Sequence, residues 1–246
     1  MTRWLRDPLL ALWRSLPRTF RLRLLADLVR AESAGDPADA LRALFEVEDA
    51  LQLAVGGAAM RFGGGEHPRH RLTDLHAFFA SRVRDGERVL DVGCGLGTLA
   101  HALVAAREVT VLAVDEDPRS IELARSRHPH PRLEFRLGDA RRDLPEGQFD
   151  VALLSHFLEH LEHRRAFLHG LRARQQPGRL LLRLPLFDRD WTVPLRRELG
   201  VRWKSDDGHF AELTEGEWIA ELAEAALTVT HREVRWGELW CEARFG

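Results

Sequence analysis

The sequence predicts an α/β fold in which a doubly wound sheet is covered by helices on both faces, closed by an antiparallel hairpin and preceded by a helical extension. Three observations lead there. Short apolar runs at 89–92, 109–114, 133–137, 148–154 and 180–184 alternate with stretches of helical periodicity, the pattern of a parallel sheet buried on both sides. The first run enters a turn of alternating glycines, Gly93, Gly95 and Gly97. Two further β runs, 227–234 and 238–243, end the sequence with Trp236-Gly237 between them, which reads as a hairpin.

Residues 1–62 lie ahead of this pattern and read as a helical extension. Leu5, Leu9, Leu12, Leu16, Phe20, Leu24 and Leu28 recur at mostly helical spacing, with Pro8 and Pro17 expected to break the pattern or begin new turns. Arginines 3, 6, 14, 18, 21, 23 and 30 make the segment locally basic, so docking on a partner subunit or on an anionic membrane surface are both open readings. Asp36 is placed to cap a helix from Pro37 to about Leu53. Residues 63–72, Gly-Gly-Gly-Glu-His-Pro-Arg-His-Arg-Leu, read as a mobile loop, and His67, Arg69, His70 and Arg71 are its candidate substrate-binding side chains, guanidinium groups being suited to carboxylate or phosphate. From residue 73 onward the sequence reads as one domain to residue 246. Its first helix is expected over 72–83, with Leu72, Leu75, Phe78, Phe79 and Val83 facing the core. Further helices are expected near 99–106, 118–127 and 161–174, and Thr214 with Glu217 forms a capping box that opens the last one.

Composition narrows the function class. A net charge of −2 supplies no broad electrostatic field for nucleic acid, so nucleic-acid binding is not expected. No apolar run is long enough to span a bilayer, and no secretory apolar segment opens the sequence, so the expected location is the cytoplasm. Cys94 and Cys241 are too few and too far apart for a disulfide framework or a zinc pattern.

The chemistry begins at Arg88 to Thr98, Arg-Val-Leu-Asp-Val-Gly-Cys-Gly-Leu-Gly-Thr. A dinucleotide loop would carry its third glycine at the position of Thr98, so the pattern departs from G-x-G-x-x-G. Asp91 ahead of the glycines suits a ligand with a cationic end, because a carboxylate orients an ammonium through charge-assisted hydrogen bonds. This stretch resembles the first motif of the class I methyltransferases that use S-adenosylmethionine, and the resemblance continues for about a hundred residues. It implies a Rossmann-like sheet and S-adenosylmethionine as cofactor, held by Asp91, Gly93, Cys94, Gly95 and Gly97 in the loop. It further implies Asp115 and Glu116 at the ribose, Asp139 and Ala140 at the adenine, and a contribution from His156.

In that family the segment after the fourth strand lies beside the reactive end of the cofactor, which brings in Ser-His156-Phe-Leu-Glu159-His160-Leu. His160 is the expected general base, since a histidine's ordinary pKa lies near working pH; His156 and His209 are the other catalytic candidates. The spacing His156, Glu159, His160 and later His209 is also similar to the E-x-x-E-H…H metal set of small-RNA 2′-O-methyltransferases, with His156 in place of the first glutamate; no metal is expected. The resulting expectation is an S-adenosylmethionine-dependent methyltransferase acting on a hydroxyl of a small or glycan-linked acceptor. A metal-assisted RNA methyltransferase and a non-catalytic cofactor-binding regulator or scaffold are the alternatives.

Overall fold

The computed structural model describes residues 3–246, with side chains described from residue 7 onward. Two compact units emerge, one of residues 1–58 with 195–202 and one of residues 59–194 with 203–246.

The larger unit is built on a seven-stranded sheet of β1 (Arg88–Val92), β2 (Thr110–Asp115), β3 (Leu133–Leu137), β4 (Val151–Ser155), β5 (Arg179–Pro185), β6 (Leu227–Arg235) and β7 (Glu238–Phe245). The order is β3-β2-β1-β4-β5-β7-β6. Strands β1 to β5 are parallel, while β7 runs antiparallel to both β5 and β6. Because β1 lies between β2 and β4, the order reverses beside its carboxyl end, and the crevice there is where open α/β sheets hold ligands.

Alternation along each strand explains why both faces are covered. Leu90, Val92, Leu112, Val114, Ala152, Leu154, Leu180 and Leu182 point into one core with Leu168, Leu171, Trp218 and Leu222. Val89, Val111, Ala113, Val151, Leu153 and Leu181 point into the other with Phe78, Phe79, Leu99, Leu103, Ile121 and Trp240. The first core therefore takes helices α8 (Arg164–Gln175) and α10 (Glu215–Glu224), and the second takes α5 (Leu75–Ala80), α6 (Thr98–Ala106) and α7 (Pro118–Arg127). Local signals set the helix starts. The Asp117 carboxylate accepts from the N–H groups of Arg119 and Ser120 ahead of α7, and Thr214 with Glu217 closes the expected capping box on α10.

The smaller unit holds α1 (Arg3–Ser15), α2 (Arg18–Glu32) and most of α3 (Pro37–Phe62). Pro8 lies inside α1 without ending it, close enough to the helix start that its missing N–H removes a single bond, whereas Pro17 precedes α2. Within this unit the Arg196 guanidinium is buried, lies 4.2 Å above the Phe45 ring and donates to Glu48, Asp49 and the Arg202 carbonyl.

Four expected boundaries move. Helix α3 runs through Gly56-Gly57 to Phe62 instead of ending near Leu53, since the following Ala58, Ala59 and Met60 are strong helix formers that outweigh two glycines. The segment 63–72 is not wholly loop: Arg69–Leu72 forms a helical turn, α4. The single helix expected over 72–83 is shortened to α5 because Asp74 sits at φ 53°, in the left-handed region, and Leu72 is left exposed at 60 %. Likewise α8 starts at Arg164, after a 3-10 turn over Leu158–His160. Among the described residues, no helix is long and apolar enough to cross a membrane.

Leu153, fully buried on the central β4, should be the most sensitive kind of site in this sheet. Leu153→Ala is expected to destabilise the protein by about 2–5 kcal/mol, read as a lower urea midpoint with an unchanged slope.

Candidate active site

The turn after β1 is shaped by three left-handed glycines, with φ of 74°, 52° and 74° at Gly93, Gly95 and Gly97. Their reasons differ. A Cβ on Gly93 would meet the Phe157 ring at 2.7 Å, and one on Gly97 would meet the Phe135 ring at 2.4 Å, so these two let aromatic rings close on the turn. A Cβ on Gly95 would meet nothing within 4 Å, so this glycine alone of the three faces open space. The N–H groups of Gly93 and Cys94 donate to the Val114 carbonyl, which ties the turn to β2. The Cys94 thiol is pushed up by burial and by the neighbouring Asp91 and Asp115 carboxylates, which makes it a neutral filler of the loop.

Two acids flank this turn. Asp115, at the end of β2, accepts from the N–H of Gly95 at 2.8 Å and from the N–H of Asp117 at 2.9 Å, so its carboxylate orders the loop. Asp91 is 2 % exposed and its Oδ2 has no hydrogen-bond partner. Burial, reinforced by the charge of Asp115, pushes its carboxyl up to about 7. A cationic group brought near Asp91 would return it to the ionised state.

A cleft of about 250 Å³ opens beside these residues, lined among others by Gly93, Asp115, Glu116, Asp139, Ala140, Arg141, His156, Phe157 and His160. Asp115, Glu116, Asp139 and Ala140, expected from sequence at the nucleoside, thus share one wall system with His156 and His160. The Asp139 carboxylate is already engaged: Arg141 donates to both its oxygens at 2.7 and 2.8 Å, Arg142 adds a third contact, and the Arg141 hydrogen bond holds it down at about 2. Arg141 also reaches Glu116 at 3.4 Å across the cleft rim. Nothing in the sequence singled out this arginine.

At the other end of the cleft, His156 adopts φ 54° and is held between two acids. Its Nε2 is 3.0 Å from Glu238 and its Nδ1 is 3.0 Å from Glu159. Burial works against a charged imidazole here, but the two carboxylates outweigh it, so the His156 pKa is raised. Both ring nitrogens of His156, one of the expected catalytic candidates, thus face carboxylates. Glu238 is opposed by burial yet pulled down to about 2 by His156 and Arg183; it accepts from Arg183 at 2.6 and 2.9 Å, from the Trp240 indole at 3.1 Å, and from Arg69. Glu238 and Arg183 were missed in the sequence because they lie 82 and 27 residues from His156; their one local signal is a charged residue inside an apolar strand.

His160 is exposed, lines the cleft, and stands edge-on to His209 with ring centroids 4.5 Å apart. His209 is buried and points its Nδ1 at Glu212 Oε1, 2.7 Å away. Glu159, His160 and His209 bring one ligand-type atom each within 4.8 Å of one another; Glu159 Oε1 is ion-paired with His156, and Oε2 is buried without a hydrogen bond. Of the loop residues, Arg69 is turned onto Glu238, His67 accepts from the Arg69 N–H, His70 faces Glu66, and Arg71 is exposed.

An open glycine turn, an unpaired buried acid and a nucleoside-sized cleft fit a nucleoside that carries a cationic amino-acid end. Comparison with known proteins agrees. Residues 65–232 match the profile of a methyltransferase-domain family. A curated relative, the ribosomal protein L11 methyltransferase of Ralstonia pickettii, is 31 % identical over 160 residues, which is 61 % of this chain and 49 % of the relative. The chain thus spans about half the length of this curated relative, and 34 % of another from Burkholderia orbicola. Among solved structures, a chain of the Haloferax volcanii complex between the Trm112 methyltransferase activator and a methyltransferase superposes with a TM-score of 0.60 at 17 % identity, covering 76 % of this chain and 94 % of that one. The small RNA methyltransferase HEN1 superposes with a TM-score of 0.58 at 15 % identity, over 70 % of this chain and 25 % of that one. The chain belongs to the methyltransferase-domain family, the class I enzymes that take their methyl group from S-adenosylmethionine.

Proposed function

We propose that this methyltransferase transfers the methyl group of S-adenosylmethionine to a hydroxyl of a small or glycan-linked acceptor, with His160 receiving the hydroxyl proton. The sulfur–methyl bond breaks as the oxygen–methyl bond forms, S-adenosylhomocysteine leaves, and the proton passes to the imidazole. The observation that carries this reading is the division between the two cleft histidines. His156 has both ring nitrogens engaged by Glu159 and Glu238, whereas His160 stands exposed on the cleft wall. In-line displacement needs chiefly alignment of the acceptor, and the Phe157 ring packed on Gly93 gives the cleft a firm apolar wall there.

In this reading Asp91 meets the cofactor's ammonium, Gly95 lets its chain approach the backbone, and Asp115 accepts from the ribose with the lone pairs left free by Gly95 and Asp117. Asp139 takes the adenine amine after Arg141 swings aside. Arg71 and His67 remain for an anionic group on the acceptor. We assign residues 73–246 to methyl transfer, 63–72 to the segment bordering the site, and 1–62 to docking on a partner subunit or membrane surface. A cytoplasmic location suits the two free cysteines. The acceptor named for the curated relatives is not carried over, because the match spans only part of their length.

A metal-assisted RNA methyl transfer is the second reading, favoured by the convergence of Glu159, His160 and His209 and by the buried Glu159 Oε2, which has no hydrogen-bond partner. Calorimetry with S-adenosylhomocysteine and with S-adenosylmethionine, with and without divalent metal, separates the two: affinity and turnover that ignore metal support the first, and turnover that requires it supports the second.

Three outcomes are expected. His160→Ala should lower turnover by about 100-fold or more while cofactor affinity stays within about twofold, the signature of a lost base. Asp115→Ala should weaken cofactor binding by about 1–3 kcal/mol by calorimetry. Because the Asp91 carboxyl is raised to about 7 and an ammonium favours its ionised form, cofactor affinity should fall as pH drops below 7, by up to about tenfold per unit, and level off above it. Asp91→Asn should bind more weakly and lose this pH dependence.

A further inference from the structure

A second cluster of ligand-type side chains lies on the segment leading into β1, formed by residues distinct from the His160 group. Glu66 lies in the bend just ahead of α4 and His70 inside it, four residues on. The left-handed Asp74 then turns the chain so that His76, on α5, faces back toward them. His70 Nδ1 is 3.5 Å and His76 Nε2 is 3.6 Å from the same oxygen, Glu66 Oε1, and the rings meet edge-on with centroids 6.0 Å apart.

Two features point to a ligand. His70 Nδ1 and His76 Nε2 are both buried and neither has a hydrogen-bond partner, an arrangement that is costly unless something else meets those nitrogens. The spacing is also informative. Two donor atoms bound at about 2.0–2.1 Å to one tetrahedral ion stand roughly 3.3 Å apart, close to the observed nitrogen–oxygen separations and too long for good hydrogen bonds. The three ligand atoms lie within 4.8 Å of one another.

We propose that Glu66, His70 and His76 form a binding site for a borderline divalent transition metal of the zinc type, with water in the fourth position. Two imidazoles and one carboxylate suit such an ion, whereas magnesium and calcium prefer all-oxygen shells. The scaffold is held from both ends. Leu75, Phe78 and Phe79 anchor α5 in the core, and Arg69, next to His70, is tied to Glu238. The Thr73 hydroxyl donates to the Arg69 carbonyl at 2.9 Å, and Arg235 donates to the Thr73 carbonyl at 3.3 Å. A bound ion fastens Glu66 and α4 to α5, and so steadies the segment whose Arg69 reaches the carboxylate that holds His156. This site does not depend on the acceptor or on the identity of the base.

The test uses the untagged full-length protein, stripped with chelator and titrated with zinc by calorimetry and with cobalt by visible absorption. The wild type should bind zinc with at least one site of micromolar or tighter affinity, and cobalt should give the intense visible bands of a four-coordinate ion. His70→Ala and His76→Ala should each weaken this site by about 100-fold or more and abolish the cobalt bands, while His209→Ala keeps them. Circular dichroism of the metal-free variants reports whether they fold. If a histidine variant does not, Glu66→Gln, a milder change on a partly exposed side chain, should weaken zinc binding by about tenfold or more. No zinc or cobalt binding by the wild type overturns the proposal. So does binding that survives the changes at 66, 70 and 76 but disappears in His209→Ala, which would assign the ion to the cleft.

Discussion

The carboxylate of Glu238 is the contact on which the site end of the sheet depends. It is 2 % exposed, and a buried charge is tolerated only when its lone pairs are met by cations and donors. Arg183 from β5, Trp240 from its own strand, His156 from the end of β4 and Arg69 from α4 meet them. One side chain thereby joins two neighbouring strands, the turn that enters the cleft, and the segment ahead of β1. The constraint also fixes chemistry. Glu238 and Glu159 engage both ring nitrogens of His156, whereas His160 stands exposed on the cleft wall.

The same electrostatic logic runs in the opposite direction at Asp91. There the burial is met by no cation from the protein, and the carboxyl is pushed up to about 7. Glu238 is a charge satisfied within the protein, whereas the Asp91 Oδ2 is buried with no hydrogen-bond partner. Beside it, Gly95 faces open space between two glycines whose neighbours are packed aromatic rings.

Arg141 and Arg69 show how arginines in this chain are spent on acids near the site. Arg141 covers Asp139 and touches Glu116, and Arg69 is drawn to Glu238, so two cations that an acceptor's phosphate or carboxylate would seek are already paired. Arg71, one residue beyond His70, is left exposed. On this segment one guanidinium is thus paired and the other faces solvent.

The sequence by itself determined the parallel sheet, its closing hairpin, the glycine turn, the acids Asp91, Asp115 and Asp139, and the placement of His160. Each of these is written in a run of neighbouring residues, because burial on both faces, left-handed turns and strand-end acids are local requirements. Tertiary structure decided the rest. Glu238 and Arg183 join His156 from two other strands, and their roles have no local pattern beyond a charge in an apolar run. Asp74 divides a stretch whose apolar spacing reads as one helix, since a single left-handed residue outweighs periodicity, and that break is what turns His76 toward His70 and Glu66. Partnership of buried charges is settled by distance in space, and sequence separation carries no record of it.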